Sequence, residues 1–120
     1  MIQMQTVIKT ADNSGIRYVR CIKVLGASKK RWAHIGEIIK VSAIDVISKS
    51  KYKEGKVLNA IVVRTTKPFK RRFEQVRFCK NAVVVLSEKL EPIGSRVLGP
   101  IPKEIKLINP KTFAAASEYV

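Results

Sequence analysis

Residues that build catalytic and metal centres are scarce in this sequence. It has one histidine, His34, and two cysteines, Cys21 and Cys79, whose wide separation does not form a metal-binding motif. No nucleophile–base spacing, no carboxylate pair around a cleft and no phosphate-binding glycine loop is recognisable. We therefore expect no enzymatic activity and no metal or other cofactor, and we interpret His34 as a loop residue that forms hydrogen bonds.

The two cysteines lie in different surroundings. Cys21 is inside an apolar run and is expected in the core, whereas Cys79 is in a basic segment and is expected to be partly exposed. A disulfide between them stays open as an alternative, although the composition is not that of a secreted disulfide scaffold.

Acidic residues and long apolar runs are scarce as well. Only 9 Asp and Glu oppose 24 Lys and Arg, which gives a net charge of +15. A folded domain with this charge repels itself, and binding to a polyanion relieves the repulsion. The apolar runs are far too short to span a membrane, and no one-sided basic amphipathic helix is present to bind a membrane surface. These features favour nucleic acid as the partner.

The length of the chain suggests a single compact unit, and its N-terminus bears on where the protein is made. A chain of 120 residues with 46% hydrophobic residues can bury one core without the help of disulfides or a structural metal. The N-terminus has neither a basic segment followed by an apolar one nor an Arg- and Ser-rich stretch. We therefore expect the protein to be made in the compartment where it works.

The most distinctive stretch runs from Asn59 to Leu86. Its two apolar, β-branched runs, residues 60–63 and 82–86, are typical of buried strands. Between them, cations and aromatic residues alternate around a single acid, Glu74. We predict a long hairpin whose tip offers cations to phosphates and aromatic rings to unpaired bases; the rings could instead pack back on the barrel. The cations are Arg64, Lys67, Lys70, Arg71, Arg72, Arg77 and Lys80, and the aromatic residues are Phe69, Phe73 and Phe78.

Two further basic segments are candidate RNA contacts. Lys29, Lys30 and Arg31 directly precede Trp32, and an aromatic residue beside such a run favours RNA contact over plain solvated surface. The second segment is the basic turn over residues 49–56, which contributes Lys49 and Lys51.

The spacing of turn residues along the chain predicts a mainly β fold. Short strands separated by glycine-bearing turns indicate a small barrel, followed by two short helices. The first helix has Pro102 in its first turn and ends at Pro110, and the second covers residues 111–118. We expect one domain over residues 1–120, with the barrel and its ribbon in residues 1–100 and a short helical C-terminus in residues 101–120. Strands are predicted at residues 6–10, 16–25, 38–47, 57–63, 82–86 and 94–100, with a turn at 26–28.

Several blocks occur in an order that resembles a known family. They are MIQ at 1–3, ADNSG at 11–15, CIKVLG at 21–26, GEIIK at 36–40, AIVV at 60–63, RF at 77–78 with NA at 81–82, PIGSR at 92–96 and GPI at 99–101. Together they resemble the universal large-subunit ribosomal protein number fourteen, in its bacterial or organellar form, over nearly the whole chain. The sequence departs from the family at the hairpin tip, where Arg72, Phe73 and Glu74 replace the usual Asp-Gly turn, so we expect another turn geometry there.

The resemblance implies a five-stranded barrel with a projecting β-ribbon and a small helical C-terminus. It implies a structural constituent of the large ribosomal subunit that binds large-subunit rRNA at the intersubunit face. It also implies bridges to small-subunit rRNA, contacts with neighbouring large-subunit proteins, and a docking site for a ribosome-silencing factor at Ser95, Arg96 and Lys111. The departures favour an organellar copy in the mitochondrial matrix over the bacterial cytoplasm or the plastid stroma. An organelle-encoded gene or a mature chain would then explain the missing presequence.

A different class of protein can be built from the same features. A free single-stranded nucleic-acid binder of the OB or cold-shock type would use the same barrel and phenylalanines. Such a protein would bind short unstructured oligonucleotides tightly, whereas a structural ribosomal protein would prefer folded RNA.

Overall fold

The computed structural model describes residues 2–26 and 28–120, and in them a closed barrel of five strands forms the centre. Met1 and Ala27, which belong to the predicted N-terminal block and to the predicted turn at 26–28, lie outside the described residues. In chain order the elements are β1 (Val7–Thr10), β2 (Ile16–Val24), β3 (Ile38–Val46), β4 (Val57–Arg64), β5 (Phe69–Lys70), β6 (Gln75–Val76), β7 (Ala82–Leu86), β8 (Val97–Ile101), α1 (Ile105–Ile108), α2 (Pro110–Ala115) and β9 (Ala116–Tyr119).

The barrel strands follow the order β1-β2-β3-β4-β7. Neighbours pair antiparallel except at the seam, where β1 and β7 run parallel, with Lys9 opposite Ala82 and Thr10 opposite Val83. The mainly β fold, the five-stranded barrel and the two short helices near the C-terminus confirm the prediction.

Residues 60–63 of β4 and all of β7 are buried on both faces, which explains their unbroken apolar runs. Successive residues of a strand point to opposite faces. One face of this pair fills the barrel interior, and the other is covered by β8 and α1. Each fully buried Val or Ile contributes about 1.5–3 kcal/mol to stability. The interior set is Ala60, Val62, Val83 and Val85, and the outer set is Ile61, Val63, Ala82, Val84 and Leu86.

Strand β2 does not keep the strict alternation that its sequence suggests. Under strict alternation Ile16, Tyr18, Ile22 and Val24 would share one face, but Tyr18 and Ile22 are exposed. Val19 and Cys21 are buried instead. The pairing with β3 shifts register three times along this strand, and each bulge turns the following side chains to the other face.

The ribbon continues the β4–β7 hairpin beyond the barrel. Strands β5 and β6 pair Phe69 with Val76 and Lys70 with Gln75, which leaves a loop of four residues, 71–74. The Arg71 N–H donates to the Glu74 carbonyl at 2.8 Å and closes this turn. None of these four described residues has a positive φ, so the tip needs no Asp-Gly pair.

The C-terminal segment departs from the prediction at three points. Helix α1 begins at Ile105, after Pro102, and Pro110 does not end a helix but begins α2, where its missing N–H costs no hydrogen bond. The Asn109 side chain caps α2 by accepting from the Thr112 N–H at 3.2 Å. The expected helix over 111–118 is wrong from Ala116 onward, because β9 pairs in parallel with β8 there and this tertiary pairing outweighs helix propensity.

Candidate nucleic-acid interface

A cationic cleft of about 560 Å³ opens where the ribbon leaves the barrel. It is formed by the end of β1, the end of β4, the loop before β7 and the middle of β8. Among the residues that the structure describes, four cations line it and no carboxylate does, while the remaining wall is largely apolar. The cations are Lys9, Arg64, Arg77 and Lys80, and the apolar wall includes Phe78, Ala82, Leu98 and Pro100.

Two of these cations are brought together by the barrel seam. Lys9 on β1 and Arg64 on β4 are both register partners of Ala82 on β7, so they flank it from opposite sides. The pairing of β4 with β7 shifts register between Val62 and Arg64. Without this bulge Arg64 would follow Val62 into the barrel interior, and with it Arg64 shares the outer face of Ala82.

The Arg64 guanidinium is half-buried under β8. Its Nη2 donates to the Leu98 carbonyl at 3.1 Å, and its buried Nε has no partner among the described residues. Gly99 makes room for it, since a Cβ at that position would lie 2.4 Å from Nη1 and the backbone there has a φ of +79°. Burial lowers the pKa of Arg64, but a guanidinium stays protonated in proteins. A buried charge with an unused donor is suited to an anionic oxygen.

The other three cations of the cleft are exposed and available to a ligand. Within residues 2–26 and 28–120, no ion pair involves Lys9, Arg77 or Lys80. The only acid between the two central strands, Glu74, is engaged elsewhere by Arg71. The cleft therefore carries an uncompensated positive charge.

The ribbon tip presents a second cationic surface with an exposed ring. The Phe73 side chain is 90% exposed, and the Arg72 guanidinium carbon lies 5.3 Å from its ring centroid. Lys70 and Lys67 are exposed on the same hairpin. Of the two alternatives for the phenylalanines, Phe73 does not pack on the barrel, whereas Phe69 and Phe78 are half-buried.

Arg71 differs from its neighbours because its donors already have acceptors within the protein. Its Nε and Nη2 contact the two Glu104 carboxylate oxygens at 2.6 and 2.8 Å, and Nη2 also reaches the Val120 carbonyl at 2.7 Å. Nη1 contacts Glu74 at 3.0 Å. This fork ties the ribbon to the segments around α1 and β9. An RNA contact by Arg71 stays a prediction.

The two smaller basic segments do not line the cleft. Lys29 and Arg31 are exposed and Trp32 is 46% exposed, but Lys30 forms an ion pair with Glu37. Lys49 and Lys51 are exposed in the turn between β3 and β4. RNA contacts by these residues stay predictions.

The residues predicted to dock a silencing factor are held by two different loops. The Ser95 hydroxyl accepts from Asn13 Nδ2 at 2.9 Å, and the Arg96 N–H donates to Asn13 Oδ1 at 3.0 Å. Lys111 pairs with Glu91 at 2.5 Å. All three are exposed, and in the described part of the chain no hydrogen bond or ion pair joins Lys111 to the other two.

Lys9 is the member of the cleft that sequence reasoning missed. Its outward position could have been predicted from the alternation of β1, where Ile8 and Thr10 are buried on either side of it. Its approach to Arg64 could not, because that depends on the parallel pairing of β1 with β7.

Fold and surface together define a class of protein. In residues 2–26 and 28–120 no helix has the length and apolar character needed to cross a membrane. A small closed β-barrel with a net charge of +15 and a cleft lined by cations without acids is a basic domain suited to a polyanion.

The particular family follows from comparison with known proteins. Residues 1–120, the entire chain, match the family model described as Ribosomal protein L14p/L23e, and the chain belongs to this family. The resemblance found in the sequence is confirmed. The protein is therefore a structural component of the large ribosomal subunit, located in the ribosome, and its family is structural rather than enzymatic.

Proposed function

We propose that the chain binds large-subunit rRNA directly and that the cleft and the ribbon tip are its two main contact surfaces. The observation that carries this proposal is the cleft itself, in which Lys9, Arg64, Arg77 and Lys80 converge without a lining carboxylate. No catalysis is involved. The rigid barrel holds the cations at fixed positions, and they neutralise phosphates where RNA segments converge.

The expected mode of recognition is shape and phosphate geometry rather than base sequence. Lys70 and Arg72 on the tip add two exposed cations to the four of the cleft. For about six phosphate contacts, affinity should fall by about 2.5 to 3.3 decades for a fourfold rise in salt, at slopes of about −0.7 to −0.9 per phosphate.

The position within the ribosome is the finer part of the proposal. We place the chain at the intersubunit face, beside other large-subunit proteins and in contact with small-subunit rRNA through a bridge. Family membership and the ordered sequence blocks support this placement. On the same grounds Ser95, Arg96 and Lys111 are proposed as the docking positions of a silencing factor. The departures from the family pattern and the high positive charge are the grounds for proposing the mitochondrial matrix as the compartment.

Filter binding with rRNA fragments at several salt concentrations tests the RNA contact. A variant with Lys9→Ala, Arg77→Ala and Lys80→Ala should lose about 2 to 3 units of the log–log salt slope. The matched control removes the same charge at exposed positions outside the cleft and outside the other candidate RNA contacts, with Lys23→Ala, Lys89→Ala and Lys103→Ala. Equal losses in the two variants would show that only net charge matters and would refute the role of the cleft.

Sedimentation tests the location of the binding. Lysate fractionated on a sucrose gradient at moderate salt should show the chain migrating with the large subunit and with the full ribosome. A position at the top of the gradient would contradict direct and stable rRNA binding and favour a free single-stranded binder.

A further inference from the structure

We infer that the cleft is a subsite for one unstacked nucleotide of the RNA, with its phosphate on Arg64 and Arg77 and its base against Phe78 and the apolar wall of β8. This inference rests on the proposed function and deepens it. It distinguishes the cleft from the ribbon tip, where cations and a ring lie on a convex surface.

The size and lining of the cleft exceed what a phosphate alone requires. A volume of about 560 Å³ lies within the range of about 300–1,000 Å³ typical of sites for small organic ligands. Contact with one phosphate needs only cations at a surface. A concave wall containing Phe78, Ala82, Leu98 and Pro100 is suited to a flat apolar face such as that of a base.

The polar groups of the cleft are arranged for an anion on one side. The buried Nε of Arg64 has no partner in the described residues, while Nη2 is fixed by the Leu98 carbonyl at 3.1 Å. Most donors of this half-buried guanidinium therefore have no acceptor in the described residues, and Arg77 and Lys80 lie in the same lining. A phosphate oxygen in the cleft that accepts from the Arg64 guanidinium would balance this charge.

The aromatic side of the cleft is held in place by the backbone. The Phe78 N–H donates to the Thr65 carbonyl at 3.2 Å, and Asn81 Oδ1 accepts from the Thr66 N–H at 2.9 Å. These bonds join the loop before β7 to the chain leaving β4. The loop backbone that carries the ring is fixed in this way, so the ring can stack on a base without rearrangement of the loop, and the amide of Asn81 can donate to a base edge.

Binding measurements on the full chain with two RNA hairpins test the inference. One hairpin carries a single-nucleotide bulge, and the other is fully paired with the same number of phosphates. The bulged hairpin should bind at least about fivefold more tightly, the lower end of what aromatic stacking on one base provides. Phe78→Leu, which keeps an apolar side chain but removes the aromatic ring, should abolish this preference.

The matched control makes the same change at the other ring. Phe73→Leu at the ribbon tip should leave the preference for the bulge intact, because Phe73 does not line the cleft. Unfolding temperatures of both variants establish that they fold. A preference that survives Phe78→Leu, or that Phe73→Leu removes, would overturn the assignment to the cleft.

Titration with uridine monophosphate and with inorganic phosphate, followed by amide NMR shifts, separates the ligand's parts. The nucleotide should shift signals of residues 77–82 and of β8 more strongly than phosphate does at equal concentration. Equal shifts would reduce the cleft to an anion site and overturn base recognition. Tight binding of the free nucleotide without any preference for bulged RNA would assign the cleft to a free ligand and equally overturn the inference.

The failure of this inference and the failure of the proposed function are distinguishable. If both hairpins bind with a steep salt dependence but without preference, the subsite is refuted and RNA binding stands. If neither the hairpins nor rRNA fragments bind, the proposed function fails as well.

Discussion

The Arg71–Glu104 pair offers the sharpest test of how the ribbon is held. Arg71→Met and Glu104→Gln remove the two partners separately, and the double variant completes a thermodynamic cycle. Glu104→Gln keeps the size and shape of the side chain, and Arg71→Met keeps an unbranched apolar stem while removing the guanidinium. Because losses caused by each change alone cancel in the cycle, it isolates the interaction between the two side chains. We expect a coupling free energy of about 1–2 kcal/mol at pH 7.

That magnitude follows from the geometry and the exposure of the pair. Two nearly parallel contacts of 2.6 and 2.8 Å form a bidentate fork, the stronger type of ion pair. The Arg71 side chain is only 13% exposed, but Glu104 is 38% exposed and is therefore partly screened by water. The value should exceed the roughly 0–1 kcal/mol of a surface pair and stay below the roughly 3–5 kcal/mol lost on breaking a buried one.

The pH dependence of the coupling gives an independent check. The hydrogen bond from Arg71 lowers the pKa of Glu104 below its usual value of 4.5. A carboxyl whose pKa is lower in the folded state contributes stability that is present above the unfolded pKa. This stability is lost as the pH falls through the folded value. The coupling should therefore be constant from pH 7 to about pH 5 and decrease below about pH 4.5.

Urea unfolding of the four proteins at pH 7 and at pH 3 measures both effects. A coupling below about 0.3 kcal/mol at pH 7 would mean that the fork does not stabilise the fold. A coupling equal at the two pH values would refute the attribution of the lowered pKa to Arg71.

Two further predictions concern the core residue Val84 and the two cysteines. Val84→Ala should lower the free energy of unfolding by about 1–3 kcal/mol, because Val84 is fully buried between the barrel and β8 and the change leaves a cavity; an unchanged thermal midpoint would contradict its place in the core. Cys79, which is exposed, should react with a thiol reagent in the folded protein, whereas Cys21 should react only on unfolding, since burial both shields it and raises the pKa of its thiol. Rapid labelling of both thiols under native conditions would be inconsistent with this structure.

The elements that could be predicted from sequence are those whose burial follows from a local run of apolar residues. The β-branched runs at 60–63 and 82–86 predicted two central strands, and they are buried on both faces. Residues 16–25 were predicted as a strand, and β2 covers Ile16–Val24. Which of its side chains are buried could not be predicted, because the bulges depend on how β3 pairs with it. The strand β9 was not predicted, since Ala-rich sequence favours helix and only the pairing with β8 makes it extended.

The types of residue in the candidate site could be predicted from the sequence, but their spatial arrangement could not. The density of cations between residues 64 and 80 was evident, as were the three phenylalanines among them, but whether their rings are exposed or packed on the barrel was not. The internal engagement of Arg71 could not be seen, because Glu104 lies 33 positions away along the chain. The same holds for the convergence of Lys9 and Arg64, which requires both the seam and a bulge.

The parallel seam has a consequence for how the chain is made. The bond from the Val85 N–H to the Asp12 carboxylate, which lies beside this seam, joins residues 73 positions apart. At a synthesis rate of about 5–20 residues per second, roughly 4 to 15 seconds pass between the synthesis of β1 and that of β7. During that time the outer edge of β1 lacks a partner, and once β4 has been made its outer edge lacks one too, so both edges can pair with another chain. The newborn protein is therefore most vulnerable to misassembly just before its last barrel strand arrives.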